Sequence, residues 1–174
     1  MESTRASDLM IPLSDYPHMP YWFTLRQAMA TLRSSRIEVD GRASLPRAFL
    51  VFNEAYELLG VVRRRDILRG LEPQFLGKKG PDYARKLFDV KTDPELLELA
   101  NGKMAGQLKE RAERPVGDVM QPIKVTVQHD DHLMKIIYEM VENNLSMIPV
   151  LEDGSVVGVV RSVDVLEEVS KLVL

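Results

Sequence analysis

The sequence predicts an α+β fold: two β-α-β-β-α units packed through their sheets as a pseudo-twofold pair, with an inserted helical linker. Three observations carry this expectation. The phrase "SDLMIP" at 7–12 returns as "GDVMQP" at 117–122. The run "LLGVVRRRDIL" at 58–68 returns as "VVGVVRSVDVL" at 156–166. Within each copy the apolar pattern switches between the two-residue period of strands and the 3.6-residue period of helices. Two matched pairs in the same order mark an internal repeat.

The second copy reads most simply. "IKVTV" at 123–127 alternates and is β-rich, so it is expected as a strand. Leu133, Ile136, Ile137, Met140 and Val141 then recur as one apolar helix face. Asp130 or Asp131 is expected to cap that helix. "SMIPVL", the turn "EDG" and "VVGVV" read as a hairpin. A last helix from about 162 carries Val165, Leu166, Val169 and Leu172.

The first copy has the same order with additions. Thr24 caps a helix whose apolar face is Leu25, Ala28, Met29 and Leu32, and "RAFLVF" with "ELLGVV" forms the hairpin. Met10 and Asp66 are 56 positions apart, but Met120 and Asp164 only 44, so the first copy is longer by 12. Ten of these fall between Leu25 and Gly60, and "EVDGRASLP", polar and carrying Gly and Pro, is the natural extra loop. The rest fall in the irregular "SDYPHMP", where His18 lines a cleft or packs under a loop.

A copy of this size buries too little surface to be stable alone, so the two are expected to share a core and to leave two equivalent clefts. The expected division is residues 1–70 for the first repeat, with its extra loop near 36–46, 71–115 for the linker and 116–174 for the second repeat. In the linker, "GKKGP" reads as a loop. Asp93 and Pro94 open a helix whose ragged stripe (Leu96, Leu99, Ala100, Met104, Leu108) is weakened at Gly102 and Gly106, so a break in the middle is expected.

Composition narrows the function. The chain of 174 residues carries a net charge of −3, which argues against generic binding to nucleic acid or anionic membranes. It has no cysteine, which removes disulfides, thiolate nucleophiles and Cys-ligated zinc. No apolar run approaches the roughly 20 residues of a membrane span, and "MESTRASD" lacks a signal-peptide core, so a cytoplasmic protein is expected. No nucleophile elbow, phosphate-binding Gly-rich loop or His-Glu zinc helix is present, so no residue is available to carry an enzymatic role. The "HDDH" at 129–132 offers metal-ligand chemistry, but its place before a helix makes caps the better reading.

"GDVMQP", "MIPV" and "GVVRSVDVL" together resemble the CBS domain, and the repeat resembles a tandem CBS pair, or Bateman module. The resemblance covers about 7–70 and 116–172 and weakens in the first copy, where Val51 or Leu50 stands in place of Pro149. It implies a stand-alone, non-catalytic regulatory module. Such a module takes an adenosyl ligand (AMP, ADP, ATP or S-adenosylmethionine) between the repeats, pairs as a homodimer through its helices and signals to an unidentified protein partner. It implies no required cofactor.

The family's ligand motif, Gly-x-x-Ser/Thr-x-x-Asp, falls on Gly60 to Asp66 and on Gly158 to Asp164. Both Asp positions are kept; both Ser/Thr positions are Arg, at Arg63 and Arg161. Arg is a poor N-cap, so something must compensate at each helix start. One reading is a bound anion held by the Arg forks, which would favour a polyphosphate. The other is that Arg63, Arg64 and Arg65 form a solvated basic face with a local ion pair to Asp66. The candidate ligand-binding set is therefore Arg63, Asp66, Ile123, Lys124, Val125, Met147, Pro149, Arg161, Ser162 and Asp164. Ile123, Val125, Met147 and Ile148 either bracket an adenine or are ordinary core. Pro149, on a strand, suggests an edge or a bulge facing a cleft. The competing class is an assembly module whose clefts have lost their ligands.

Overall fold

The computed structural model describes residues 4–72 and 94–174. The first half runs α1 (Ala6–Leu9), β1 (Ile11–Pro12), a 3-10 turn (Leu13–Asp15), β2 (His18–Pro20) and α2 (Leu25–Ser34). It continues with β3 (Ile37–Val39), β4 (Arg42–Ser44), β5 (Ala48–Phe52), β6 (Leu58–Arg63) and α3 (Arg64–Leu71). After α4 (Pro94–Arg111) come a 3-10 turn (Val116–Asp118), β7 (Gln121–Pro122), β8 (Val127–Gln128), α5 (Leu133–Glu142), β9 (Met147–Glu152), β10 (Ser155–Arg161) and α6 (Ser162–Val173).

The strands form two four-stranded sheets of the same design, β2-β5-β6-β7 and β1-β10-β9-β8. In each, a parallel strand flanks a hairpin and a short antiparallel strand closes the far edge. That closing strand comes from the other copy. Ile11 pairs with Val159 in the second sheet, and Gln121 pairs with Val61 in the first. The two matching phrases are thus the two exchanged strands. Their partners explain the paired glycines. A Cβ on Gly158 would lie 2.6 Å from the Ile11 carbonyl oxygen, and one on Gly60 would overlap the Gln121 carbonyl. Both hairpins also carry an irregularity at the same place, between Val51 and Phe52 and between Val156 and Gly158.

Three apolar layers hold this together. Helices α2 and α3 cover one sheet through Leu25, Ala28, Phe49, Val62 and Ile67. Helices α5 and α6 cover the other through Leu133, Ile136, Met140, Val160 and Val165. Between the sheets lie Leu50 and Phe52 from one and Ile11 and Val159 from the other, with Tyr16 and Ile37. The expected packing through the sheets is this middle layer. Tyr16, buried there, donates its hydroxyl proton to the Ala48 carbonyl at 2.8 Å. Burial pushes the phenol well above its ordinary range.

Several sequence expectations change. Residues 123–126 are not strand: "IKVTV" contributes only Val127 to β8, because the preceding strand, β7, belongs to the other sheet. The extra segment near 36–46 is not a loop but a hairpin, β3–β4, turning at Asp40 and Gly41, both with positive φ. His132, not Asp130 or Asp131, caps α5, its Nδ1 accepting from the Met134 N–H. Asp131 instead accepts from the Gln128 N–H and pairs with Lys135. Val141, Leu166 and Leu172, read as core-facing, are exposed, because α5 and α6 bury only one side each. Helix α4 is continuous through Gly102 and Gly106. Asp93, the "GKKGP" loop and the side chains of Leu96, Leu99 and Ala100 lie outside the described residues.

Thr24 caps α2 as expected, and its box is closed by Gln27. Pro149 lies on β9, an inner strand, not at an edge. It is tolerated because pairing with β8 begins one residue later, at Val150. Its equivalent in the first copy is Leu50: Pro149 faces Val159 as Leu50 faces Val61. His18 sits on β2, its ring between the Tyr16 carbonyl and the Tyr56 hydroxyl, packed edge-on to Phe52.

Candidate functional site

In each sheet the second strand of the hairpin, β6 or β10, runs directly into a helix, and the residue at that junction is an arginine. Arg63 is the N-cap of α3 and Arg161 the N-cap of α6. In both, the guanidinium turns back onto the Asp of the first turn as a two-pronged fork. Arg63 Nε and Nη2 donate to Asp66 at 2.9 and 3.0 Å. Arg161 Nε and Nη2 donate to Asp164 at 2.7 and 2.8 Å. The compensation for a poor cap is therefore internal: the carboxylate opposes the arginine charge at the positive end of each helix. Of the two readings of these arginines, the structure contains the local ion pair.

The two starts differ in what surrounds them. Asp66 is fully buried. Beyond the fork, its carboxylate accepts from the Arg63 backbone N–H at 2.9 Å and from Gln121 Nε2 at 3.2 Å, with Arg69 at 3.4 Å. Burial alone would raise this carboxyl. The Arg63 hydrogen bonds and the Arg63 and Arg69 charges outweigh it and hold the group below the usual carboxylate range. Both oxygens are engaged, and the exchanged strand β7 seals the place through Gln121.

At the second start the position of Gln121 is taken by Ile11, which offers no donor. There a cleft of about 780 Å³ opens, lined by Arg161, Asp164, the exchanged strand with Met10 to Pro12, the hairpin β3–β4 and the first turns of α6. Arg161 and Asp164 keep side-chain exposures of 14% and 12%, so the pair stands at the cleft wall, in reach of a ligand. The third Arg161 nitrogen, Nη1, donates to Ser44 Oγ of β4 at 2.9 Å.

Of the sequence-derived set, Arg161 and Asp164 meet in this cleft. Ser162 is exposed beside them but does not line it. Ile123, Lys124 and Val125 follow β7 and so leave from the first sheet, running antiparallel to β6 and away from its Arg63 end; none of them lines the cleft at Asp164. Met147 and Pro149 lie on β9, and Met147 Sδ faces the Tyr16 hydroxyl at 2.9 Å between the sheets. Met147 pairs across the hairpin with Arg161, yet none of Ile123, Val125, Met147 and Ile148, the expected adenine bracket, lines the cleft at Asp164. In its place stand Met10, Ile11, Pro12, Asp8, Asp15 and the hairpin, none of them in that set. The sequence carried a signal for part of this: Met10 to Pro12 repeat as Met120 to Pro122. Only the strand exchange says which cleft each phrase serves.

Comparison with known proteins agrees with this fold. Residues 116–171 match the family model for the CBS domain. An uncharacterized protein of Methanocaldococcus jannaschii is 36% identical over 62 residues, covering 34% of this chain and 29% of the relative. CBSX2 in complex with AMP superposes with a TM-score of 0.62 at 15% identity, over 98% of both chains. A CBS domain-containing protein of unknown function from Kribbella flavida gives 0.65 at 16% identity, over 96% of this chain and 98% of that one. The cytosolic domain of the Mg2+ channel MgtE in complex with ATP gives 0.60 at 21% identity, over 97% of this chain and 49% of that one. The chain thus spans about half the length of the channel domain and less than a third of the curated relative. Among the described residues, no helix is long and apolar enough to cross a membrane.

Proposed function

From the premise that this is a CBS-domain protein whose two repeats form a tandem pair, we propose that it is a non-catalytic sensor. It binds an adenosyl ligand in the cleft at the start of α6 and transmits that event to a protein partner. CBS domains are regulatory modules, and proteins of the same fold have been crystallised with AMP and ATP. The observation that carries the reading is the cleft itself: about 780 Å³, with Asp164 on its wall at the position the family motif uses for ribose. Asp164 is the residue for the ribose hydroxyls. Met10, Ile11 and Pro12 supply the apolar and backbone surface beside it. The helix start at Asp66 serves structure instead, since its carboxylate is buried and fully engaged.

Self-association belongs to the same reading. Met134, Tyr138 and Val141 on α5 and Leu166, Leu172 and Val173 on α6 are large apolar side chains left exposed. A second copy meeting this face would form the helix-mediated dimer. A cytoplasmic location follows too, beside the nucleotides to be sensed.

Thermal unfolding of ligand-stripped protein with AMP, ADP, ATP or S-adenosylmethionine tests the proposal. A ligand at about 100 times its dissociation constant adds roughly 2.7 kcal/mol. For a chain of this length that is a rise of about 5–10 °C in midpoint. No shift with any of them would favour the second reading, an assembly module. The specific observation in its support is that both Arg forks are already satisfied by the protein's own carboxylates.

A further inference from the structure

We propose that the inserted hairpin β3–β4 is the specificity element of the second cleft, and that it selects an adenosyl ligand with a neutral or cationic tail over a polyphosphate. The inference rests on the sensor reading and goes beyond it to the chemistry of the ligand.

The hairpin has no counterpart in the second copy. Its stem is anchored at Ile37, buried between the sheets, so it is a fixed wall rather than a free loop. It reaches the second helix start at two points. Ser44 Oγ accepts from Arg161 Nη1 at 2.9 Å, and Arg42 pairs with Glu167 at 3.5 Å. The hairpin therefore occupies the guanidinium nitrogen that the Asp164 fork leaves over. A phosphate entering here would find Arg161 with Nε and Nη2 on a carboxylate and Nη1 on a hydroxyl.

The charge balance points the same way. The cleft is lined by seven carboxylates and three cationic side chains. Each cation already has a carboxylate partner in the same lining: Arg161 with Asp164, Arg42 with Glu167 and Lys171 with Glu168. Four carboxylates, Asp8, Asp15, Glu38 and Asp40, remain without a cation among the described residues, and the hairpin contributes two of them. A triphosphate would bring several negative charges into a space whose positive charge is spent. Screening weakens such repulsion in open water, less so inside a cleft. A tail bearing a sulfonium or an ammonium meets the opposite field. The expectation of a polyphosphate, drawn from the arginines alone, is thereby reversed.

Calorimetric titration with S-adenosylmethionine, its thioether analogue S-adenosylhomocysteine (the same zwitterionic tail without the sulfonium charge), AMP and magnesium-free ATP tests this. Wild type should bind S-adenosylmethionine at least about fivefold tighter than the thioether, and ATP about tenfold weaker than AMP. The Glu38→Gln/Asp40→Asn double variant keeps the hairpin's shape, since Asn tolerates the positive φ of Asp40. In it both ratios should contract severalfold, with circular dichroism and melting point unchanged. Binding to wild type with ratios that the variant does not alter would overturn the hairpin's role while leaving the sensor reading intact. ATP bound more tightly than AMP by wild type would overturn the proposal as well. No binding of any probe, to wild type or to the variant, would overturn the sensor reading and the selectivity with it.

Discussion

Replacing Asp66 by Ala separates the two helix starts that the sequence makes look alike. The wild-type carboxylate, itself without solvent exposure, accepts three hydrogen bonds from Arg63 and one from Gln121. Truncation leaves the Gln121 amide and the Arg63 N–H without an acceptor and returns Arg63 to a poor cap. Removing one partner of a buried charge pair costs about 3–5 kcal/mol. Arg63 is half exposed and can rehydrate, which places the expected loss near the lower end, about 3 kcal/mol. With an m-value of about 2 kcal/mol/M, the urea midpoint should fall by about 1.5 M. Asp164 accepts two hydrogen bonds against four, and Arg161 keeps its bond to Ser44, so Asp164→Ala should cost less, about 1–2 kcal/mol. Urea unfolding of both variants by circular dichroism is the assay. An Asp66→Ala loss below about 1 kcal/mol, or one smaller than that of Asp164→Ala, would refute the assignment of the first start to structure.

Other outcomes follow from the same contacts. Gly60→Ala and Gly158→Ala place a methyl group against the carbonyl of an exchanged strand, so each should cost about 1–3 kcal/mol by the same urea assay. Gly102→Ala, with open space around it on α4, should be neutral or slightly stabilising. The folded-state pKa of Asp66 is depressed, so its contribution is fully present above the unfolded carboxyl value of about 4 and is lost as pH falls through the folded value. Acid titration of stability should accordingly show a steeper low-pH limb in wild type than in Asp66→Asn. A Tyr138→Lys/Leu166→Lys double variant should keep its melting point yet sediment as a smaller species than wild type.

Much of the fold was legible because it is written twice. The hairpins, the Thr24 cap and the apolar faces of α2 and α5 follow from periodicity and cap chemistry, which are local. The strand exchange is not local. "GDVMQP" and the residues after it read as the opening of the second unit, yet β7 hydrogen-bonds to Val61 in the first. Nothing in the spelling of a two-residue strand says which sheet edge it will close; that is decided by where Gly60 and Gly158 leave room. The same exchange moved Ile123, Lys124 and Val125 away from Asp164 and brought in Met10 to Pro12.

The hairpin β3–β4 was legible as an insertion but not as a structure. Its Asp-Gly turn is a hairpin signal only between alternating apolar runs, and this segment is polar on both flanks. Arg161 and Asp164 are legible from the motif; a local ion pair is expected from sequence only at Arg63 and Asp66, and the structure repeats it at the second start. Ser44, which takes the arginine's third hydrogen bond, lies 117 positions away in the chain. No sequence pattern brings those two together.

The most direct test of the central claim is the stoichiometry of adenosyl-ligand binding, measured calorimetrically on ligand-free wild type and Asp164→Ala. One site per chain in wild type and none in the variant is the expected result. Two sites per chain would contradict the closure of the Asp66 start, and wild-type affinity retained in Asp164→Ala would contradict the placement of the ligand at α6.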